Sequence, residues 1–270
     1  MGAEALGPPG SLRSETGQSC VGAYLVFVTL VLQVLPKAAQ WAADVAAIAP
    51  HAYRQVFLFL DGTVRQTCMP CPAAWKRLEA QYSGYHYHGF KVSSNCSCVF
   101  FLIQLPGHLQ AHALITPSGM AAHYFGAVDG RRHDSFLMQA SGIFPLLSEL
   151  RIDGVDYQVY ADSAYPVTPN LVSPIPRAAA PTGSVAAELN RVMAVVRTCT
   201  SEWWYGVITN TFQALDFARW QRQHLTRPAL QYIVGMFLVN CRTCMDGGNR
   251  ISDFFGSDAP ELEEFLAGGF

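Results

Sequence analysis

A chain of 270 residues, half of them hydrophobic and 14% charged, is long enough to bury a core and too apolar for disorder over most of its length. Its formal net charge of -2 sets it apart from stand-alone DNA-binding domains, which are basic because phosphate neutralisation supplies most of their affinity. The eight cysteines are few for the length and follow no clear signal peptide, so they do not read as a secreted disulfide scaffold.

In chain order, residues 1–19 carry Gly, Pro and Ser and read as disordered. The run Val21 to Leu35 (VGAYLVFVTLVLQVL) is the most hydrophobic stretch, yet at about fifteen residues it falls short of the ~20 that span a bilayer. It contains Gln33 and has no basic segment directly before it, so a buried helix or strand is favoured over a membrane anchor. Helical character continues to about Ala49, with a break or kink expected at Pro36. Arg54 to Leu60 is almost continuously apolar, as in a strand buried on both faces, and it ends in Asp61-Gly62-Thr63. Ala111 to Thr116 and Ala121 to Val128 are strand candidates joined by a turn at Pro117-Ser118-Gly119. A helical stretch follows from about Asp134 to Leu150, then a strand from Tyr157 to Ala161 that again ends in a carboxylate, Asp162. A Pro- and Ala-rich loop (Pro166 to Pro181) leads to a long helix from near Ser184 that carries Glu202, and a further helix covers about Arg227 to Asp246. The pairs Cys68–Cys71 and Cys241–Cys244 are both CxxC, but they lie far apart without a compact knuckle, so reduced, separately packed thiols are favoured over a shared zinc site. The chain divides into residues 1–50, a divergent or truncated and partly disordered N-terminal region; residues 51–250, the main domain; and residues 251–270, a C-terminal tail.

Two aspartates at the ends of buried strands and a glutamate on a later helix suit hard divalent cations, which take oxygen ligands and leave room for water and phosphate. On spacing alone, acids at strand ends are equally compatible with a structural role. The residues around them carry more information. FLDGTVR (Phe59 to Arg65), LITPSGMAAHYFGAVDGRRHDSFLMQASGI (Leu114 to Ile143) and VYADSAYP (Val159 to Pro166) come in that order. LNRVMAVVRTCTSEWWYG (Leu189 to Gly206), FQALDF (Phe212 to Phe217), NCRTC (Asn240 to Cys244) and FFG (Phe254 to Gly256) follow. In this order and spacing they resemble the DDE endonuclease domain of Harbinger-type transposases and of host proteins domesticated from them. The resemblance covers roughly Phe57 to Leu266.

That resemblance implies an α/β, RNase H-like fold, a mixed sheet flanked by helices with an acidic triad converging at strand ends. It implies a metal-dependent DNA endonuclease, using Mg2+ or Mn2+ held by Asp61, Asp162 and Glu202 in a two-metal mechanism. DNA as substrate, a nuclear location and a separate Myb-like DNA-binding partner go with it. The alternative is a catalytically inactive, domesticated remnant acting as a binding protein. His133 and Asp134 match the family's His-Asp-Ser element and take a supporting role. For His133 packing or capping is an equal alternative, and Asp134 also suits the cap of the helix it precedes. Arg65 and Arg197 fit either a phosphate contact or an ion pair. Trp203, Trp204 and Tyr205 are read as core anchors ahead of base-stacking residues.

Three departures from the family pattern stand out. Residues 92–110 (VSSNCSCVFFLIQLPGHLQ) interrupt a region continuous in the family; joining Lys91 to Ala111 restores a family-like strand, and Val-Ser is what a typical splice donor encodes, so a retained intron is expected. The stretch Arg197-Thr-Cys-Thr-Ser-Glu202 is one residue longer than the family spacing. One residue turns a helical side chain by about 100°, which aims Glu202 away from the aspartates unless the helix starts late or a π-bulge absorbs the extra residue. The segment before the first aspartate is short and apolar where the family carries more helical chain.

Overall fold

Strand β1 (Val56–Cys68) opens with five buried residues, Val56 to Leu60. A segment apolar on both faces is stable only in mid-sheet with both faces covered, and β1 takes that position. The computed structural model describes residues 33–68, 106–129, 134–148, 150–215 and 228–270. On one side of β1 lie β2 (Pro106–Ile115) and β3 (Ala121–Asp129), on the other β6 (Gln158–Ala161) and β7 (Leu171–Val172), in the order β3-β2-β1-β6-β7. The β1–β2 and β2–β3 pairs are antiparallel and the β1–β6 and β6–β7 pairs parallel, giving a five-stranded mixed sheet of the RNase H-like kind. The two-residue strands β4 (Arg151–Ile152) and β5 (Val155–Asp156) form a separate hairpin. Its turn, Asp153-Gly154, has φ of 49° and 81°, the left-handed pair that a tight hairpin requires.

The β2–β3 turn falls at the residues the sequence suggests. Gly119 has φ 80°, and a Cβ there would run into the Asn249 side chain, whose Nδ2 donates to the Gly119 carbonyl at 2.8 Å. Only glycine satisfies both the backbone conformation and this close approach.

Helices cover both faces. Around Phe59, Ala113, Ile115 and Tyr160 pack Met193, Val196, Trp204, Ile208, Met236 and Phe255. These come from α4 (Val185–Arg197), α5 (Trp203–Thr211), α6 (Pro228–Met245) and α7 (Arg250–Phe255), with α1 (Ala38–Ala46) adding Val45. The second cluster sets Leu58, Leu60, Leu114 and Val159 among Trp41, Met138, Ile143, Phe265 and Phe270. It draws on α1 again, α2 (Asp134–Ala140), α3 (Ile143–Ser148) and α8 (Leu262–Leu266). Ser184 caps α4, its Oγ accepting from the Ala187 N–H at 3.1 Å, which is the role serine prefers at a helix start. Helix α6 is tied to the start of β3 by buried Asn240. Its Oδ1 accepts from the Ala121 N–H at 3.0 Å, and its Nδ2 donates to the Ala121 carbonyl at 2.9 Å.

The structure adds detail at several sequence expectations. Pro36 sits in a short 3-10 turn (Leu35–Lys37) just before α1, and Val34, Ala38, Trp41, Ala42 and Val45 are buried; residues 1–32 lie outside the described residues, as does the bulk of the 92–110 segment. Pro106 to Gln110, the end of that segment, form the first half of β2 opposite Val64 to Cys68. Residues 251–270, expected as a C-terminal tail, bring Phe255, Phe265 and Phe270 into the core, where burial of their rings is favourable. Cys241 and Cys244 are free thiols, and the Cys244 Sγ lies 3.5 Å from the Met120 Sδ. Cys71, and the side chain of Cys68, lie outside the described residues. Among the described residues no helix is long and apolar enough to cross a membrane.

Candidate active site

The parallel ladder between β1 and β6 pairs Phe59 with Tyr160 and Leu60 with Ala161, and stops there. The next residue on each strand is an acid, so adjacent parallel strands place Asp61 beside Asp162. Sequence reading put Asp61 at a strand's exit. The structure instead runs β1 on to Cys68 through pairing with β2, and Asp61 marks the end of the parallel ladder rather than of the strand. β6 ends at Ala161, so Asp162 stands free of the sheet.

Asp61 is 6% exposed, and its Oδ1 accepts from the Gly62 N–H at 3.0 Å. Asp162 Oδ1 accepts from the Ser163 hydroxyl at 2.9 Å and from the Ala164 N–H at 3.3 Å. One nitrogen joins the two acids: Arg197 Nη1 lies 2.9 Å from Asp162 Oδ2 and 3.4 Å from Asp61 Oδ1. Of the two roles weighed for Arg197, the ion pair is the one seen. Burial pushes the Asp61 carboxyl up to about 6, with the charges of Asp162 and Glu202 adding to the rise and Arg197 and the Gly62 N–H opposing it.

The extra residue between Arg197 and Glu202 is taken up by a π turn, Thr198–Glu202, between α4 and α5. A π turn is the insertion device expected when one residue is added to a helix without breaking its flanks. It buries Thr200 and Ser201 and leaves the Glu202 side chain exposed, with Thr198 Oγ1 donating to Glu202 Oε1 at 3.4 Å. Glu202 is near enough for its charge to act on Asp61. As the side chains stand, no three His, Cys, Asp or Glu side chains among the described residues are grouped to hold a metal ion.

Trp204 and Tyr205 are buried, as their core reading expects. Tyr205 has a further role that the sequence does not disclose: its hydroxyl donates to the Asp61 carbonyl at 2.7 Å, tying α5 to β1 at the acid itself. The supporting residue Asp134 starts α2, and its Oδ1 would lie 2.9 Å from a Cβ placed on Gly62, with the Tyr165 hydroxyl 3.3 Å from the same point. Glycine after Asp61 therefore lets Asp134 and Tyr165 close on β1 from the face opposite Arg197. Tyr165 is 3% exposed, and burial, then the charges of Asp134, Asp61 and Asp162, push its phenol well above the usual range. Below it His112 stacks at 6.2 Å between ring centroids, and buried His123 lies 5.5 Å from His112. Burial lowers both imidazoles, His123 to about 3, so the pair is neutral. His112 and His123 read as strand positions in the sequence and Tyr165 as part of the motif after Asp162; only the stacking of β2, β3 and the Asp162 loop assembles them. His133 and the Arg65 side chain lie outside the described residues.

A family model described as a DDE superfamily endonuclease matches residues 72–240. The match contains Asp134, Asp162, Arg197 and Glu202, while Asp61 precedes it. No curated protein and no solved structure matches the chain.

Proposed function

From the premise that this chain belongs to the DDE superfamily endonucleases, a nuclease family whose substrate is DNA, we propose that it cleaves DNA phosphodiester bonds with two divalent cations, Mg2+ or Mn2+, held by Asp61, Asp162 and Glu202. The observation that carries this reading is the cation already shared between the aspartates, the Arg197 guanidinium 2.9 and 3.4 Å from their oxygens. Two carboxylates, one of them buried and raised to about 6, form a site that calls for more positive charge than one partly buried guanidinium provides. Their oxygens are also the hard donors that Mg2+ and Mn2+ prefer.

Divalent ions held by Asp61, Asp162 and Glu202 would supply polarisation of the phosphodiester, activation of a water and stabilisation of the leaving oxygen. The chain's own residues do the rest. The Gly62 N–H orients Asp61 and the Tyr205 hydroxyl fixes its backbone, while Ser163 and Ala164 orient Asp162. Glu202, exposed on the π turn, closes on the aspartates from the helical side. Arg197, beside both aspartates, carries the planar fork that suits a phosphate oxygen. Selection of a target sequence falls to a Myb-like partner in the nucleus, consistent with a chain of net charge -2.

A second reading, a silent remnant that keeps the fold as an interaction protein, draws on the same contact, since a guanidinium that never leaves the aspartates neutralises them. Calorimetric titration of Mn2+ into the wild type and Asp61→Asn separates the two, followed by nicking of supercoiled plasmid. The nuclease reading expects binding and nicking that the variant loses. A folded wild type that binds no Mn2+ rejects it in favour of the remnant.

A further inference from the structure

Glu202, whose charge reaches Asp61, also forms part of the wall of a cleft of about 700 Å³ between α5 and the corner where α6 passes into α7. The α5 wall presents Trp203, Gly206 and Asn210, and the opposite wall presents Arg242 and Arg250. A glycine inside a helix weakens it relative to alanine, and a Cβ on Gly206 would meet nothing within 4 Å. Packing within the chain therefore does not call for glycine there. Room for something lying against the helix does.

The charges in the cleft point to the nature of that occupant. Arg242 is paired with Asp246 at 3.2 Å. Arg250 is exposed and has no carboxylate partner among the described residues; its guanidinium carbon lies 3.7 Å from the centroid of the Trp203 ring. An indole behind a guanidinium holds it in place and leaves its N–H edge for an anion, and the stacked pair offers a flat surface to a base. Asn210 adds an amide that can donate and accept at a base edge. The volume lies within the range of about 300–1,000 Å³ usual for small-ligand pockets, and face-on contact with the guanidinium requires a base that has left the duplex stack.

We propose that this cleft binds the unpaired DNA strand next to the scissile phosphate, with Arg250 on a backbone phosphate, the Trp203–Arg250 stack against a base and Gly206 giving the strand access to α5. The proposal rests on the nuclease reading for the position of the scissile phosphate. The link between the two is Glu202, which lines the cleft and whose charge reaches Asp61.

The test is fluorescence anisotropy of a labelled single-stranded oligodeoxynucleotide about ten nucleotides long, added to the full chain with Ca2+ in place of Mn2+. Arg250→Gln and Gly206→Leu are each expected to weaken binding about tenfold. Arg250→Gln also flattens the dependence of log affinity on log salt by about 0.7. Gly206→Ala is expected to raise Tm and still weaken binding, which separates an obstructed cleft from a damaged fold. Wild-type affinity in folded Arg250→Gln and Gly206→Leu overturns the cleft and leaves the nuclease reading standing on plasmid nicking. Tighter binding of the matching duplex or of single-stranded RNA overturns the assignment to unpaired DNA. Absence of nicking in the wild type, with oligonucleotide affinity still dependent on Arg250 and Gly206, removes the nuclease reading and keeps the cleft as a strand-binding site.

Discussion

Replacing Arg197 by methionine keeps an unbranched apolar stem and removes the guanidinium between Asp61 and Asp162. Opposite charges at about 4 Å attract by about 4 kcal/mol at an effective dielectric near 20. Asp61 is well shielded, its side chain 9% exposed, but that of Asp162 is 36% exposed, and water screens its share. Setting desolvation against attraction leaves a net loss of about 1–3 kcal/mol. For a domain of this size that is a fall in Tm of about 3–10 °C in EDTA. The same guanidinium competes with any cation for the two carboxylates, so its removal is expected to tighten Mn2+ binding about tenfold, the equivalent of about 1.4 kcal/mol. Differential scanning calorimetry in EDTA and in saturating Mn2+, paired with a calorimetric Mn2+ titration, reads both effects. Arg197→Met should start lower than wild type and gain more from the metal. An unchanged Tm in EDTA together with an unchanged Mn2+ affinity would refute the reasoning, because the contact would then hold neither the fold nor the site.

The pH dependence follows from Asp61. Its carboxyl is raised from 3.8 to about 6, so between those values the folded chain binds more protons than the unfolded one, and stability falls as pH rises through that window, by on the order of 3 kcal/mol. Protons must leave before a metal binds, so Mn2+ affinity is expected to drop about tenfold per pH unit below 6 and to level off above it, as titrations from pH 5 to 8 would read. Tyr205→Phe removes the hydroxyl that holds the Asp61 carbonyl at 2.7 Å. Chemical denaturation should show a loss of about 1 kcal/mol with weaker Mn2+ binding, and full retention of both would discount the tether. Asn240→Ala strands the buried N–H and carbonyl of Ala121, with an expected cost of about 2–4 kcal/mol in urea unfolding. A loss no greater than that of an exposed asparagine would mean that water replaces the amide.

Much of the site was legible because its parts are local. The Arg54–Leu60 run announces a central strand, since only mid-sheet burial satisfies a stretch apolar on both faces. An acid at the end of such a run, repeated at Asp162, follows from the same pattern. The surplus residue before Glu202 leaves open a side chain turned away, a late helix start or a π-bulge, and the structure has a π turn at Thr198–Glu202. Other features were invisible for a physical reason: they join residues far apart in sequence. Tyr205 and Asp61 are separated by 144 positions, Asn240 and Ala121 by 119, and no periodicity or spacing marks either bond. Residues 251–270, expected as a tail, place Phe265 and Phe270 in one cluster with residues of α1 and α6, a packing that no local pattern announces.

By itself, then, the sequence determined that Arg54 to Leu60 holds a buried strand segment with an acid directly after it, and that the chain resembles DDE nucleases, because these depend on side-chain chemistry within short windows. Tertiary structure alone decided that Asp61 and Asp162 stand side by side, that Arg197 joins them, that Tyr205 and Asp134 close on β1 from opposite sides, and that Glu202 opens onto a cleft with Arg250. Each of these rests on sheet register and helix packing, and register is set by the sum of the buried contacts across the whole sheet rather than by any residue in it.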